Sequence, residues 1–260
     1  MKKTIQLAAI AVLGLLAATP LQAQRLRGLS GPFGQSVNWS CLQGGIQFVI
    51  CKATQSTDTD NSSRFLYCAQ NGSSHGIYVG CYHRCEPRTH WAEQEAAYFW
   101  SKAGPVYESL WNQGYLLSPA LDVEDELDGS STGYNGDGSS ITLTEWCNRW
   151  YNYVNSYAEA SGMYFVEFTY VNEGSAYLLN PAPAGDSWIA NPDGLGGNLS
   201  DSPWTGTGTV SPWCGGDCWR MWQDKWNFVS QCTSSGATCE NYYNGSSTSA
   251  LKSDLGVKSH

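Results

Sequence analysis

Apolar and polar positions follow two alternating patterns along the first two-thirds of the chain. Short apolar runs predict β-strands at 46–51, 76–82, 116–123 and 164–170. Apolar residues at every third or fourth position predict one helix over 89–103 and another that begins near Thr142. Strands that alternate with helices are typical of βα units around a parallel sheet.

The two predicted helices carry N-terminal signals, but the last third of the chain does not. Thr89 is the predicted N-cap of the first helix, and Thr142 with Glu145 fits a capping box in the second. After residue 170 the helical pattern fades, and short strands at 187–190 and 219–223 are separated by loops rich in Gly and Pro. We therefore expect one α/β domain, mostly β towards its end.

The first 23 residues have the pattern of a secretory signal. Lys2 and Lys3 precede an apolar core over 7–18, and Leu21-Gln22-Ala23 is typical of a cleavage site. We expect residues 1–23 to be removed and residues 24–260 to form a single secreted domain, extracellular or periplasmic. Nothing later in the chain is long and apolar enough to predict a membrane span.

Ten cysteines behind such a signal favour disulfide bonds in an oxidising compartment. The pairs suggested by proximity along the chain or between neighbouring strands are Cys51 with Cys81, Cys214 with Cys218, and Cys232 with Cys239. No C-x2-C pair with histidine partners is present, so neither a metal nor another cofactor is expected.

The charge of the chain argues against polyanionic partners. The formal charge is −9, and removal of a leader with two lysines and no acids makes it −11. Nucleic-acid binding depends on Lys and Arg that neutralise phosphates, so this balance disfavours it. We expect a neutral glycan partner, no membrane partner, and a monomer.

Candidate chemistry lies at the end of the strand predicted over 116–123. Asp122 and Glu124 are two residues apart, and alternation along a strand places both side chains on one side. Two carboxyl groups in one cleft can divide the roles of acid and charge stabiliser, which is what cleavage of a glycosidic bond requires. The alternative is a solvated acidic loop, because Asp125, Glu126 and Asp128 follow at once.

Several segments, in this order, together resemble glycoside hydrolase family 25, the Chalaropsis-type muramidases. The resemblance spans about 28–245 and is carried by Phe48-Val49-Ile50-Cys51-Lys52-Ala53-Thr54, Gly76-Ile77-Tyr78-Val79-Gly80-Cys81-Tyr82-His83, Ala120-Leu121-Asp122-Val123-Glu124, Trp188-Ile189-Ala190, Trp222-Gln223 and Asn241-Tyr242-Tyr243-Asn244-Gly245.

The resemblance implies a fold, a reaction and a set of site residues. The fold would be a single modified TIM-like (β/α)5(β)3 barrel, here disulfide-bonded. The reaction would be hydrolysis of the β-1,4 bond between N-acetylmuramic acid and N-acetylglucosamine in peptidoglycan, or of a related N-acetylhexosamine glycan. Glu124 would be the general acid/base and Asp122 the charge stabiliser. The substrate-binding residues would be Ser30, Tyr82, Tyr170, Trp188, Trp222 and Gln223.

Two departures from the family pattern keep an alternative open. Ser30 stands where the family has an Asp in its opening Gly-x-Asp-x-Ser, and Cys239 stands where the family has a second Asp, with Glu240 one place along. The loss of flanking negative charge would make Glu124 a poorer acid near neutral pH. The alternative function is a glycan-binding homologue with impaired catalysis. A chitinase is disfavoured, because the family 18 chitinase motif is a longer acidic run, Asp-x-x-Asp-x-Asp-x-Glu. Residues 116–121, before Asp122, contain no acid.

Overall fold

The computed structural model describes residues 24–31, 33, 37–124, 131–176, 178–179, 182–191, 219–228, 232–233 and 238–260. Its strands are β1 (Leu26–Gly31), β2 (Phe48–Gln55), β3 (Thr59–Asp60), β4 (Tyr78–Arg84), β5 (Ala120–Val123), β6 (Thr132–Tyr134), β7 (Ser140–Thr142), β8 (Met163–Tyr164), β9 (Phe168–Asn172), β10 (Asp186–Ala190), β11 (Trp219–Phe228), β12 (Thr238–Tyr243) and β13 (Lys258–Ser259). Its helices are α1 (Trp39–Leu42), α2 (Ser62–Ser74), α3 (Ala92–Leu110), α4 (Leu143–Ala160), α5 (Glu173–Ala176) and α6 (Thr248–Leu255).

Eight of these strands close into a barrel. Around the wall the order is β1, β2, β4, β5, β9, β10, β11 and β12, and β12 returns to pair with β1. The strand β12 is antiparallel to both of its neighbours, and the other adjacent pairs in the wall are parallel. The carboxyl ends of the parallel strands therefore meet at one face, which is where active sites form in barrels of this kind.

Alternation along the strands divides the apolar side chains into two cores. One core fills the barrel and contains Phe48, Ile50, Tyr170, Trp188 and Met221. The other lies between the wall and the helices, and its strand residues include Val49, Cys51, Leu121, Ile189 and Trp222. Each fully buried large apolar side chain contributes roughly 1.5–3 kcal/mol.

Buried hydroxyl groups of the helices fix the position of β5. The Tyr151 hydroxyl group of α4 accepts hydrogen bonds from the backbone N–H groups of Leu121 and Phe168, each at 3.0 Å, so it joins β5 to β9. The Ser175 hydroxyl group donates to the Val123 carbonyl oxygen at 2.6 Å. These contacts hold the strand at Leu121 and Val123, on either side of Asp122.

The structure confirms the α/β class and most of the predicted elements. The helix predicted from Thr142 is α4, whose first turn is capped by a hydrogen bond from the Glu145 N–H to Thr142 Oγ1 at 3.1 Å. The apolar runs correspond to β2, β4, β5, β10 and β11. The strand predicted over 164–170 begins later in the structure. Tyr164 is the last residue of β8, and β9 begins at Phe168.

The bounds of two other predicted segments are wrong. Trp91 rather than Thr89 is the N-cap of α3, and the helix continues through Pro105 to Leu110. Burial of Val106 and Tyr107 beyond the proline outweighs the loss of one backbone hydrogen bond. The strand predicted over 116–123 is shorter in the structure, because β5 begins only at Ala120.

The disulfide predictions are also wrong where the structure tests them. Cys41 forms a disulfide bond with Cys232, which excludes the pair of Cys232 with Cys239. Cys51 and Cys81 are register partners on β2 and β4, but both are free thiols. The Cys81 sulfur lies 3.3 Å from the Tyr107 hydroxyl group, and burial raises the pKa of Cys81 to about 12. Cys214 and Cys218 lie outside the described residues.

The proposed leader, residues 1–23, also lies outside the described residues. None of the helices in the described part of the chain combines the length and the apolar character that a bilayer-spanning helix needs.

Candidate active site

Two carboxylates and a guanidinium group meet at the carboxyl end of β5. Asp122 is buried, with 5% of its surface exposed, and it lies opposite Arg84 in the register of β4 and β5. Glu124 directly follows β5, and its Oε2 is 2.9 Å from Arg84 Nη2. The Glu124 side chain is 25% exposed, so it remains in contact with solvent while it is paired with Arg84.

Two tyrosines, Tyr82 partly buried and Tyr170 buried, lie near this carboxylate pair on the two strands that flank β5. Tyr82 lies on β4 and Tyr170 on β9. Burial raises the pKa of both phenols, and the negative charges of Asp122 and Glu124 raise it further. Both phenols are therefore neutral hydrogen-bond donors over the ordinary pH range, and both lie close to the two carboxylates.

A chain of hydrogen bonds crosses the barrel beside the carboxylates. The Tyr170 hydroxyl group donates to Gln223 Oε1 at 3.0 Å, and Gln223 Nε2 donates to Ser30 Oγ at 3.3 Å. Asn241 Nδ2 also donates to Ser30 Oγ, at 2.9 Å, and Trp188 Nε1 donates to Asn241 Oδ1 at 2.9 Å. These five side chains come from five different strands, so the network fixes the shape of this end of the barrel.

The arrangement has the groups needed for acid-assisted cleavage of a glycosidic bond. A carboxyl group in contact with solvent can transfer a proton, and a buried carboxylate beside it can stabilise positive charge that develops on a sugar. Among the described residues, no three His, Cys, Asp or Glu side chains form a group that could hold a metal ion.

A sequence model of the family described as glycosyl hydrolases family 25 matches residues 32–225. This chain belongs to glycosyl hydrolase family 25. No curated protein matches it in sequence. The match includes β2, β4, β5, β9 and β10, and therefore both carboxylates of the candidate site.

Solved structures of lysozymes and muramidases share the fold. A bacterial lysozyme from Streptomyces coelicolor is 22% identical with a TM-score of 0.56, and the alignment covers 88% of this chain and 96% of that one. A family 25 lysozyme from Aspergillus fumigatus is 19% identical with a TM-score of 0.56, covering 88% and 97%. A muramidase from Acremonium alcalophilum is also 19% identical with a TM-score of 0.56, covering 88% and 98%.

The two departures from the family 25 pattern lie side by side. Ser30 and Cys239 are partners in the antiparallel register of β1 and β12. Ser30 belongs to the hydrogen-bond network. Cys239 lies close to the phenols of Tyr82 and Tyr170. A hydroxyl group and a thiol thus occupy adjacent positions on β1 and β12, at the two places where the sequence resemblance implies carboxylates in the family.

Glu240 does not take the place of the missing carboxylates. It is 1% exposed and points away from the barrel interior, where it forms ion pairs with Arg27 and Lys225. All three side chains line a cavity of about 590 Å³ on the outer side of β1 and β12. Alternation along β12 places the side chains of Cys239 and Glu240 on opposite sides of the strand, so Glu240 does not reach the cleft.

The two tryptophans named from the sequence occupy different places. Trp188 lies inside the barrel, in contact with Tyr170 at a ring-centroid distance of 4.7 Å, and is 2% exposed. Trp222 belongs to the outer core, where its Nε1 donates to the Asn191 carbonyl oxygen at 2.7 Å. The structure therefore brings Trp188 to the site, together with Ser30, Tyr82, Tyr170 and Gln223, but it does not bring Trp222 there.

Sequence reasoning missed two residues of the site. Arg84 follows Tyr82 by two positions on β4, so strand alternation alone places both on the same side of the wall. Asn241 is part of the segment that resembles the end of the family, but its role as the partner of Ser30 and Trp188 needed the register of β12. Arg84 could have been found from strand alternation, but the role of Asn241 could not.

Proposed function

We propose that this protein is a secreted muramidase that hydrolyses the β-1,4 bond between N-acetylmuramic acid and N-acetylglucosamine in peptidoglycan. The observation that carries the proposal is the position of Asp122 and Glu124 at the carboxyl end of β5, in a chain of family 25. The lysozymes and muramidases among the related structures support the same substrate class.

In this mechanism Glu124 gives its proton to the oxygen of the leaving sugar. Asp122 stabilises and orients the 2-acetamido group of the bound sugar, which attacks the anomeric carbon in place of a protein nucleophile. Glu124, now ionised, then takes a proton from the water that opens the intermediate. Tyr82 donates a hydrogen bond at the cleft, Tyr170 can accept one there through its hydroxyl oxygen, and Ser30, Gln223 and Trp188 keep the shape of the cleft.

The proposal extends to the organisation of the chain. Five strands that are each followed by a helix, and then three strands at the end, correspond to a (β/α)5(β)3 barrel. Residues 24–260 would form this domain as a monomer after removal of residues 1–23. The substrate is a largely neutral polysaccharide, which is consistent with a formal charge of −9 for the full chain.

The identity of the new reducing end tests the proposal. Purified peptidoglycan is digested with the oxidised protein, reduced with borohydride and analysed by mass spectrometry. A muramidase leaves N-acetylmuramic acid at the reducing end, so muramitol-terminated products are expected. Products that end in reduced N-acetylglucosamine would contradict the proposed bond. Binding to peptidoglycan without any product would favour the glycan-binding alternative, with Ser30 and Cys239 as its cause.

A further inference from the structure

Arg84 is a cation in direct contact with the proposed acid of the site. Its Nη2 lies 2.9 Å from Glu124 Oε2, and the two side chains are similarly buried, with 28% and 25% of their surfaces exposed. The contact is between strand ends rather than mobile loops. The Arg84 carbonyl oxygen accepts from the Ser56 N–H at 2.9 Å, and the Cys85 N–H donates to the Asp122 carbonyl oxygen at 3.0 Å.

His83, the residue before Arg84, fixes the end of β4 through contacts on the outer side of the barrel wall. His83 is fully buried, and its two ring nitrogens are each 2.7 Å from a partner, Thr54 Oγ1 and Glu95 Oε2. The imidazole also stacks on the Trp150 ring at a centroid distance of 5.4 Å. Arg84 therefore leaves a rigid part of the wall, and its guanidinium group is held towards Glu124.

Other ionisable groups of the described residues lie around this end of the barrel. Asp122 is a second carboxylate, Cys239 is a thiol, and the phenols of Tyr82 and Tyr170, whose pKa values are raised by burial, are neutral. Lys52, on β2, donates a hydrogen bond to Gln55. An opposite charge at 2.9 Å favours an ionised carboxylate over its protonated form.

We propose that Arg84 sets the pH range of this enzyme by holding Glu124 in its ionised form, so that the protonated acid is present only at acidic pH. The inference rests on the proposed role of Glu124 as general acid, which must carry its proton before it can donate it. Arg84 acts through Glu124 and is a positioning residue for the reaction. The replacement of two family carboxylates by Ser30 and Cys239 acts in the same direction, because it removes negative charge that would favour the protonated form.

The pH profile of kcat/KM on solubilised glycan strands, measured from pH 3 to 9, tests the inference. Arg84→Gln should move the alkaline limb of the profile upward by about one pH unit, because the neutral amide no longer favours ionised Glu124. Arg84→Lys keeps the charge and should stay close to the wild type. Arg64→Gln, which removes an exposed arginine on α2, is the matched control and should change nothing. A higher KM without a displaced limb in Arg84→Gln would overturn the inference and make Arg84 a substrate-binding residue.

A second readout does not depend on turnover. Carboxyl ¹³C NMR of glutamate-labelled protein, with Glu124 assigned by its loss in Glu124→Gln, follows protonation of this residue directly. The midpoint should move upward in Arg84→Gln and, in the wild type, when salt rises from 0.05 to 0.5 M and screens the pair. Unchanged midpoints would overturn the inference even in an active enzyme. Displaced midpoints in a protein that hydrolyses nothing would support it and refute the proposed function instead.

Discussion

Cys239 and Glu240 are neighbours in sequence, yet their side chains lie on opposite sides of the barrel wall. Cys239 faces the interior, where it lies close to Tyr82 and Tyr170. Glu240 faces outward and pairs with Arg27 and Lys225. The single negative charge that the end of β12 carries is therefore directed away from the catalytic cleft.

Glu240→Gln should leave hydrolysis unchanged and lower stability. The amide has nearly the same shape, but it loses the charge that two basic side chains contact, which is worth about 1–2 kcal/mol for a pair of partly exposed cations. Initial rates on peptidoglycan and urea unfolding measure the two effects. Glu159→Gln, at an exposed position on α4, is the control and should alter neither. A large fall in rate with normal stability would show that Glu240 acts in the cleft after all.

The same ion pair predicts how stability depends on alkaline pH. The hydrogen bond with Glu240 raises the pKa of the Lys225 ammonium group above its ordinary value. A cation whose pKa is higher in the folded state adds stability below the unfolded-state value of about 10.4 and loses this contribution as pH rises through the folded-state value. The stability difference between wild type and Lys225→Met should therefore be constant from pH 7 to 9 and shrink above about pH 10.4. Urea unfolding at each pH measures it, and a difference that grows with pH would contradict the pairing.

Asp122→Asn should reduce the rate severely and keep glycan binding measurable. The amide retains the hydrogen-bonding shape of the buried side chain but cannot stabilise positive charge on the acetamido group, and loss of such an interaction costs roughly 100- to 1000-fold in kcat. Initial rates and pull-down on the same peptidoglycan separate the two properties. Loss of binding together with a lower melting temperature would assign Asp122 a structural role.

The Cys41–Cys232 disulfide bond should make a large contribution to stability. It joins positions 191 residues apart, so it restricts the unfolded chain strongly, and a loss of about 2–4 kcal/mol is expected on its removal. Urea unfolding with and without reductant measures the loss in the wild type. The Cys41→Ser/Cys232→Ser double variant should already be destabilised and should not respond to reductant. An equal response of both proteins would place the sensitive bond elsewhere.

The sequence predicts the barrel better than it predicts long-range pairing. Thr142 and the apolar stripe of α4 are local signals, and the structure confirms both. Thr142 is the N-cap of the helix, and the stripe forms its buried face. The disulfide predictions failed since pairing was judged from nearby cysteines, whereas Cys41 reaches a partner 191 residues away. No local pattern contains that information.

Strand alternation explains which of the expected site residues meet. Trp222 and Gln223 are adjacent on β11, so only one of them can face the barrel interior, and the network around Ser30 shows that it is Gln223. Arg84 was equally accessible to this argument, since it shares a side of β4 with Tyr82. The contact of Arg84 with Glu124 could not be predicted in this way, because it depends on how β4 and β5 align.

Release of reducing ends from purified peptidoglycan by the wild type and by Glu124→Gln, measured side by side from pH 3 to 8, tests the central claim most directly. The amide cannot donate a proton but is nearly isosteric, so the variant should keep its circular dichroism spectrum and its binding to peptidoglycan. Hydrolysis by the wild type, and its abolition in the variant, is the predicted result. Wild-type-like turnover in Glu124→Gln would refute its role as the acid and remove the basis of the proposed mechanism.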